Sequence, residues 1–158
     1  MREIDWEYGS IANDLEEMRE LGAEFWPETT QAQAFDVEYN LSDDFFSLCE
    51  ERGILGVLLG RDPETRELVG IYVAILTPWI FCRHLTMSSE VVWFIRRDYM
   101  SKQNVIEFLR AAESANAKWG ADYVGITMHD IGNVDRARET MKRQGYVMSN
   151  LFFLKQVG

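Results

Sequence analysis

Cysteine is scarce in this chain, whose 158 residues include only Cys49 and Cys82. Neither cysteine has a second cysteine or a histidine at the spacing of a metal site, so a disulfide framework and a zinc site involving His84 or His129 are both excluded. Free cysteine is among the most frequently buried residue types. We therefore predict two reduced, buried thiols and no bound metal.

Long hydrophobic runs are also absent. The longest, residues 70–82, contains 13 residues including a proline, whereas about 20 apolar residues are needed to span a bilayer. The N-terminal stretch MREIDWEYGS is acidic and lacks the basic and apolar regions of a signal peptide. The sequence predicts a cytoplasmic protein with no membrane partner.

No linker, low-complexity tract or internal repeat divides the chain. Hydrophobic residues make up 47% and aromatic residues 13% of the sequence, which is the composition of a globular protein. Chains of this length bury about 70% of the surface that they expose when unfolded. We predict one domain over residues 1–158.

Basic residues are rare in the first third. Residues 1–53 contain 15 acidic and 3 basic residues, a net charge of −12, whereas residues 54–158 contain 11 acidic and 13 basic residues, a net charge of +2. Binding to nucleic acid is unlikely on these grounds, because phosphate contacts require clustered lysine and arginine. Two interpretations stay open: a surface for a basic substrate or partner, and helix faces that are simply solvated.

The hydrophobic periodicity predicts an α+β protein. Helical spacing covers residues 10–26 and 41–53, and two β-rich runs at 54–60 and 68–76 form a hairpin. We expect a third neighbouring antiparallel strand at 88–97, after a break at Thr77-Pro78 and a loop around His84. The remaining elements are a helix, a strand, a helix and a final strand, at 103–120, 122–129, 133–145 and 146–157. The predicted order is α-α-β-β-β-α-β-α-β.

This order resembles that of the GCN5-related N-acetyltransferase (GNAT) family, as do the stretch EVVWFIRRDYMSKQNVIEFLRAAESANAKWGADYVGITMH and the later RQGY. The resemblance covers residues 54–158 well and the N-terminal helices loosely. It implies a mixed, mostly antiparallel sheet with helices on both faces. It also implies that the sheet opens between its fourth and fifth strands and that acetyl-CoA lies in the opening.

In that family the loop after the fourth strand has the pattern Arg/Gln-x-x-Gly-x-Gly/Ala and binds the pyrophosphate of the cofactor. Here Met100, Gln103 and Val105 stand at the three patterned positions. Side chains at 103 and 105 restrict backbone approach and positive φ, although the amide dipoles of the helix start persist. Arg96, Arg97 and Lys102 either neutralise phosphates instead or are exposed charges, and a further alternative is that Arg97 and Asp98 pair with groups around them. The resemblance assigns cofactor binding to Trp93, Phe94, Ile95, Arg96, Arg97, Ser101, Lys102, Gln103, Asn104, Val105 and Asn133.

Acetylation of an amine requires a base for the amine proton and an acid for the departing thiolate. The resemblance makes Glu90 the base candidate, with a solvated carboxylate at the strand end as the alternative. His129 is the second catalytic candidate, with a structural histidine as the alternative. Met141 occupies the position of the family's tyrosine acid and cannot donate a proton. Asn133 either contacts cofactor or caps the following helix.

The sequence thus supports two hypotheses. The first is an acetyl-CoA-dependent N-acetyltransferase that acts on a small amine or on a protein lysine or N-terminus, for which the acidic, aromatic first third suits a cationic substrate. The second is a catalytically inactive protein of the same fold that binds a protein partner, similar to GNAT-like proteins encoded by bacteriophages. Whether the chain forms a homodimer is left open by the sequence.

Overall fold

We describe a computed structural model of the chain over residues 2–35, 38–127 and 134–148. It contains five strands and five helices in these residues, and a short 3-10 turn, Trp26–Glu28, follows the first helix. The strands are β1 (Asp5–Tyr8), β2 (Leu55–Arg61), β3 (Leu68–Trp79), β4 (Cys82–Ile95) and β5 (Tyr123–Gly125). The helices are α1 (Ile11–Phe25), α2 (Thr30–Phe35), α3 (Asp43–Glu51), α4 (Lys102–Lys118) and α5 (Val134–Arg143).

The strands form one sheet in the order β1-β2-β3-β4-β5. The first four are antiparallel to their neighbours, and β5 runs parallel to β4. The predicted group of three neighbouring antiparallel strands and the mixed, mostly antiparallel sheet are confirmed. The predicted final strand, 146–157, lies largely outside the described residues.

The predicted element order is wrong at its start, because it omits β1. This strand has only four residues, two of them acidic, although the stretch EIDWEY does alternate polar and apolar residues, which is the pattern of a half-buried strand. Tertiary packing determines it: Trp6 lies over two glycines, and a Cβ added at Gly60 or Gly70 would come within 3.0 or 2.9 Å of the indole. The sequence also gave no indication of α2.

The predicted break at Thr77-Pro78 is wrong as well. β3 continues to Trp79, the chain turns at Ile80 and Phe81, and His84 lies in β4 and not in a loop. Pro78 is tolerated because it is exposed and lies beside an irregularity in the ladder. Of the two thiols, Cys49 is buried as predicted, but Cys82 at the hairpin end is only partly buried.

Helices cover both faces of the sheet, as predicted. One face packs against α4 and α5 through a cluster that includes Tyr72, Trp93, Ile95 and Phe108. The opposite face packs against α1 and α3, and Phe94 belongs to this second cluster. In the part of the chain that the structure describes, no helix is both long and apolar enough to cross a membrane. The predicted cytoplasmic location stays a prediction.

Candidate functional site

The fourth and fifth strands pair over only three residues. Met87, Ser88 and Ser89 lie opposite Tyr123, Val124 and Gly125, after which β5 ends while β4 continues to Ile95. Two side chains of β4 bridge to the chain beyond β5: the indole N–H of Trp93 donates to the Thr127 carbonyl at 2.6 Å, and Glu90 binds the same residue. In the residues that the structure describes, the pairing of the two strands therefore ends next to Glu90.

Glu90 lies inside β4 and is partly buried, so its interpretation as a solvated carboxylate at the strand end is wrong. One carboxylate oxygen accepts the backbone N–H of Thr127 at 2.6 Å and also the Thr127 hydroxyl. This carboxylate already holds the chain after β5 in place. Its predicted role as a base stays a prediction.

A bulge in β4 sets the direction of the Glu90 side chain. Val92 lies opposite Val73 and Glu90 lies opposite Ala74, so Val91 is the extra residue. In a regular strand, residues 90 and 93 would face opposite sides of the sheet. The bulge brings Glu90 to the face that contains Ala74 and Trp93, beneath α4. The sequence offers no sign of this irregularity.

Three predicted cofactor contacts are core side chains. Trp93, Phe94 and Ile95 are all buried. Trp93 stacks on Phe108 with ring centroids 4.9 Å apart, and Phe94 packs against Phe25 at 4.7 Å. A ligand along this part of β4 would meet the backbone and not these side chains.

The connection from β4 to α4 folds without glycine. The N–H of Tyr99 donates to the Arg96 carbonyl at 2.9 Å, and the N–H of Met100 donates to the Arg97 carbonyl at 3.1 Å. None of residues 96–101 has a positive φ. The backbone conformation of this connection therefore does not require glycine at any of its positions.

Ser101 begins α4 as its N-cap, and its hydroxyl accepts the Asn104 N–H at 3.1 Å. The N–H groups of Lys102 and Gln103 belong to the first turn and have no acceptor within the helix. These N–H groups point out of the N-terminal end of the helix, where the helix dipole favours an anion. Val105 packs against the core, and Lys102 and Gln103 are exposed.

Asn104 has a structural position. It is 1% exposed, and its amide nitrogen donates to the Tyr99 carbonyl at 2.6 Å and to the Arg2 carbonyl at 2.9 Å. The side chain thus joins α4, the preceding connection and the N-terminal segment. A direct cofactor contact from this side chain would require these hydrogen bonds to break.

The two arginines of the connection are paired with carboxylates. Arg96 contacts Glu67 at 2.8 Å and Glu24 at 2.9 Å, and these hydrogen bonds raise the pKa of the guanidinium. Arg97 contacts Glu28 at 2.9 Å while its side chain stays 80% exposed. Both charges are therefore compensated within the chain, as one sequence interpretation allowed for Arg97 but none did for Arg96.

A hydrogen bond between a hydroxyl and a carboxylate joins the β4–α4 connection to the β2–β3 turn. The Tyr99 hydroxyl donates to Asp62 at 2.5 Å, and the other carboxylate oxygen accepts the N–H groups of Glu64 and Thr65. The tyrosine hydrogen bond, followed by the backbone ones, lowers the pKa of Asp62 to about 2. The turn residues Asp-Pro were recognisable in the sequence, but this long-range pair was not.

A shallow cleft of about 200 Å³ lies where the start of α4 meets the end of α5. Lys102 and Arg143 place two cationic side chains along it, with Glu139 as the acidic residue in the lining. Met141 lies on α5, and its side chain is buried in the core. Tyr146 packs against the same core, and burial raises the pKa of its hydroxyl.

Glu90 lies inside β4, whereas Ser101, Lys102 and Gln103 lie at the start of α4, and their predicted roles stay predictions. His129 and Asn133 lie outside the described residues, so their predicted roles stay predictions. Among the described residues no group of three or more histidine, cysteine or acidic side chains could hold a metal ion.

Comparison with known proteins identifies the fold. No protein-family model and no curated protein matches the chain, but solved structures match it over nearly its whole length. An aminoglycoside acetyltransferase from an uncultured soil metagenomic sample matches 98% of this chain and 99% of its own at 14% identity, with a TM-score of 0.72. A ribosomal-protein-alanine N-acetyltransferase from Brucella melitensis biovar Abortus 2308 matches 98% and 99% at 10% identity, with a TM-score of 0.66.

An acetyltransferase from Trypanosoma brucei matches 98% of this chain and all of its own at 11% identity, with a TM-score of 0.64. At such low identity the similarity establishes the fold alone. The chain has the fold of the GCN5-related N-acetyltransferases, as the sequence predicted.

Proposed function

We propose that the protein is an acetyl-CoA-dependent N-acetyltransferase that transfers an acetyl group to an amine. The observation that carries the proposal is the position of the α4 N-terminus. It follows the end of β4 after the connection of residues 96–101, beyond the point at which the described pairing of β4 with β5 ends. An α-helix N-terminus at such a junction is a general site for phosphate groups.

The residues around this helix start fit a phosphorylated cofactor in part. The free N–H groups of Lys102 and Gln103 could donate hydrogen bonds to phosphate oxygens, and the Lys102 and Arg143 side chains along the neighbouring cleft could add charge. Arg96 and Arg97 would contribute only after leaving their glutamates. Acetyl-CoA would supply an acetyl group activated as a thioester.

Within this proposal, Glu90 accepts the proton of the attacking amine, directly or through water. Its two hydrogen bonds from Thr127 fix the carboxylate at the separation of β4 and β5. Such fixed orientation favours general base catalysis. His129 is proposed as a second proton-transfer group.

For the acceptor we propose a cationic amine. The acidic N-terminal third, with a net charge of −12 over residues 1–53, supports this class of acceptor. The matched proteins are described as acting on aminoglycosides and on the alanine of a ribosomal protein. Both a polyamine-like small molecule and a protein N-terminus or lysine therefore stay within the proposed substrate class.

The paired arginines favour a second candidate function. A chain that neutralises Arg96 and Arg97 with its own glutamates offers less positive charge to a cofactor phosphate. Such a protein would retain the fold and bind another protein without catalysis. The two candidates differ in whether acetyl-CoA binds.

Titration calorimetry with acetyl-CoA tests the first step. The enzyme proposal expects saturable binding at millimolar concentration or below, and release of CoA, measured by chromatography, with a polyamine, an aminoglycoside or a peptide amine. Absence of binding at several millimolar contradicts it. Binding without turnover of any of these amines supports the second candidate.

A further inference from the structure

The turn between β3 and β4 exposes two large apolar side chains. Ile80 is 82% exposed and Phe81 is 87% exposed. The ladder between β2 and β3 ends at Ile75, so the hairpin extends beyond β2. Trp79 packs edge-on against Tyr123 at 5.0 Å and supports the hairpin near its end. We call residues 79–84 the hairpin tip.

The hairpin tip is cationic in an acidic protein. The chain contains 26 acidic residues, yet none lies between Glu67 and Glu90. Arg83 and His84 follow the apolar turn, and both are exposed. A surface that would suit this tip is therefore apolar at its centre and acidic around it.

The cleft between α1 and α3 has this character. It has a volume of about 500 Å³, and its accessible apolar side chains are Ala12 and Leu15, above the buried Ile11. Glu51 and Glu16 are its exposed acidic residues, and Glu16 also pairs with Arg19 at 2.5 Å. We call it the α1–α3 cleft.

Glu50 fixes the two helices that form this cleft. Its carboxylate, from α3, accepts the N–H groups of Ile11 at 2.7 Å and Ala12 at 3.1 Å, at the start of α1. Ser10 precedes α1 but makes no side-chain capping bond. The first turn of α1 is therefore capped from the neighbouring helix, and the cleft has a defined width.

We propose that the hairpin tip of one copy of this chain docks into the α1–α3 cleft of a second copy. Ile80 and Phe81 would enter the apolar part, and Arg83 would face Glu16 and Glu51. Both complementary surfaces occur on the same chain, which is the reason for choosing a second copy as the occupant. The contact joins two different surfaces, so it is heterologous.

Only a few side chains take part, so the contact is smaller than a stable interface, which buries about 800 Å² per partner. Association is accordingly weak and concentration-dependent. Sedimentation velocity should be measured at protein concentrations from about 10 μM to about 500 μM, roughly the range in which a weak complex becomes populated. The fraction of a species larger than the monomer should increase with concentration. A monomer throughout this range overturns the proposal.

Two variants identify the surfaces. Phe81→Asp removes the apolar tip, and the double variant Glu16→Lys/Glu51→Lys reverses the charge of the cleft. Each variant alone should remain monomeric at 500 μM. An equimolar mixture should form a heterodimer, because each variant retains the surface that the other has lost. A mixture that stays monomeric, or association that survives either variant, overturns the proposal.

Matched controls are available on the same chain. Val147 is 89% exposed, so Val147→Asp introduces the same change in polarity at another exposed position. Glu64→Lys reverses an exposed charge on the β2–β3 turn. Both controls should associate as the unmodified chain does. Loss of association in either control would show a general charge effect and contradict the assigned surfaces.

The native thiol of Cys82 provides a second readout, because no labelling site has to be introduced. It follows Phe81 directly and is partly exposed, whereas Cys49 is buried. Docking of the tip should slow maleimide modification of Cys82 as the concentration rises, in the unmodified chain but not in Phe81→Asp. Equal rates in both proteins at 500 μM overturn the proposal. A basic protein that binds the cleft while the chain stays monomeric would identify a foreign occupant instead.

Discussion

The Glu90 carboxylate accepts hydrogen bonds from both the backbone N–H and the hydroxyl of Thr127, so one side chain of β4 holds the residue that follows β5. A residue in this position can have two separate effects. Its hydrogen bonds stabilise the separated strands, and its basicity can serve the proposed transfer of a proton.

The variants Glu90→Ala and Glu90→Gln separate these effects. Alanine removes both hydrogen bonds to a charged group and should lower the free energy of unfolding by about 1.5–3 kcal/mol. Glutamine retains an acceptor oxygen and should destabilise less, but it lowers the rate of acetyl transfer by about 10²–10⁴ if Glu90 is the base. Urea denaturation and CoA release measure the two quantities. Near-normal activity in Glu90→Gln would exclude the base role.

The Tyr99–Asp62 pair predicts how stability depends on pH. The pKa of Asp62 is lowered from 3.8 to about 2 in the folded chain, chiefly by the tyrosine hydrogen bond. This contribution to stability is present above about pH 4, where the unfolded chain is also ionised, and is lost as the pH falls toward 2. Tyr99→Phe should therefore lose less stability between pH 4.5 and pH 2.5 than the unmodified chain.

Urea midpoints at the two pH values measure this difference. Tyr123→Phe is the control, because Tyr123 is half exposed and lies on β5. The control should retain the full acid dependence. An acid dependence that is unchanged in Tyr99→Phe would contradict the assigned cause.

Release of Arg96 from its carboxylates should strengthen the binding of phosphate groups. Glu67→Gln removes the partner at 2.8 Å and leaves Glu24 at 2.9 Å. Because exposed ion pairs contribute up to about 1 kcal/mol, we expect acetyl-CoA to bind up to about five-fold more tightly. Calorimetry at low and high salt checks this, since the gain should shrink with screening. Glu64→Gln, on the same turn, is the control, and unchanged affinity in Glu67→Gln would place Arg96 away from the phosphates.

Restoring a family glycine should not improve cofactor binding. The connection has no residue with positive φ, and Gln103 lies in the first turn of α4, where its side chain bonds Glu107 at 2.6 Å. Gln103→Gly should lower the free energy of unfolding by about 1 kcal/mol relative to Gln103→Ala. The dissociation constant for acetyl-CoA should stay within about two-fold of that of the alanine variant, which corresponds to less than about 0.5 kcal/mol of binding free energy. A clear gain in affinity for glycine over alanine would show that the side chain blocks the backbone. Thermal unfolding and calorimetry supply both measurements.

Local patterns were sufficient to predict α1, α3 and α4, whose hydrophobic residues recur at the helical period, and β2 and β3, whose apolar runs flank a polar turn. The alternation in EIDWEY also indicates β1, which we did not predict, and the packing of Trp6 over two glycines supports that strand. The bulge at Val91 and the true end of β3 at Trp79 have no local pattern, because they depend on the pairing of β3 with β4. Of the predicted site residues, Asn104, Trp93, Phe94 and Ile95 have buried side chains in the core. The roles of Glu90, Ser101, Lys102 and Gln103 stay predictions.

The sequence by itself determined that this is an acidic α+β chain and that the stretch RRDYMSKQNVIEFL joins a strand to a helix without glycine. Residue types and periodicity are local properties, and they are sufficient for those conclusions. Only the tertiary structure decided what the charges of that stretch do. Glu24, Glu28 and Glu67 come from other elements to pair with its two arginines, and ion pairs between distant residues leave no local pattern in a sequence.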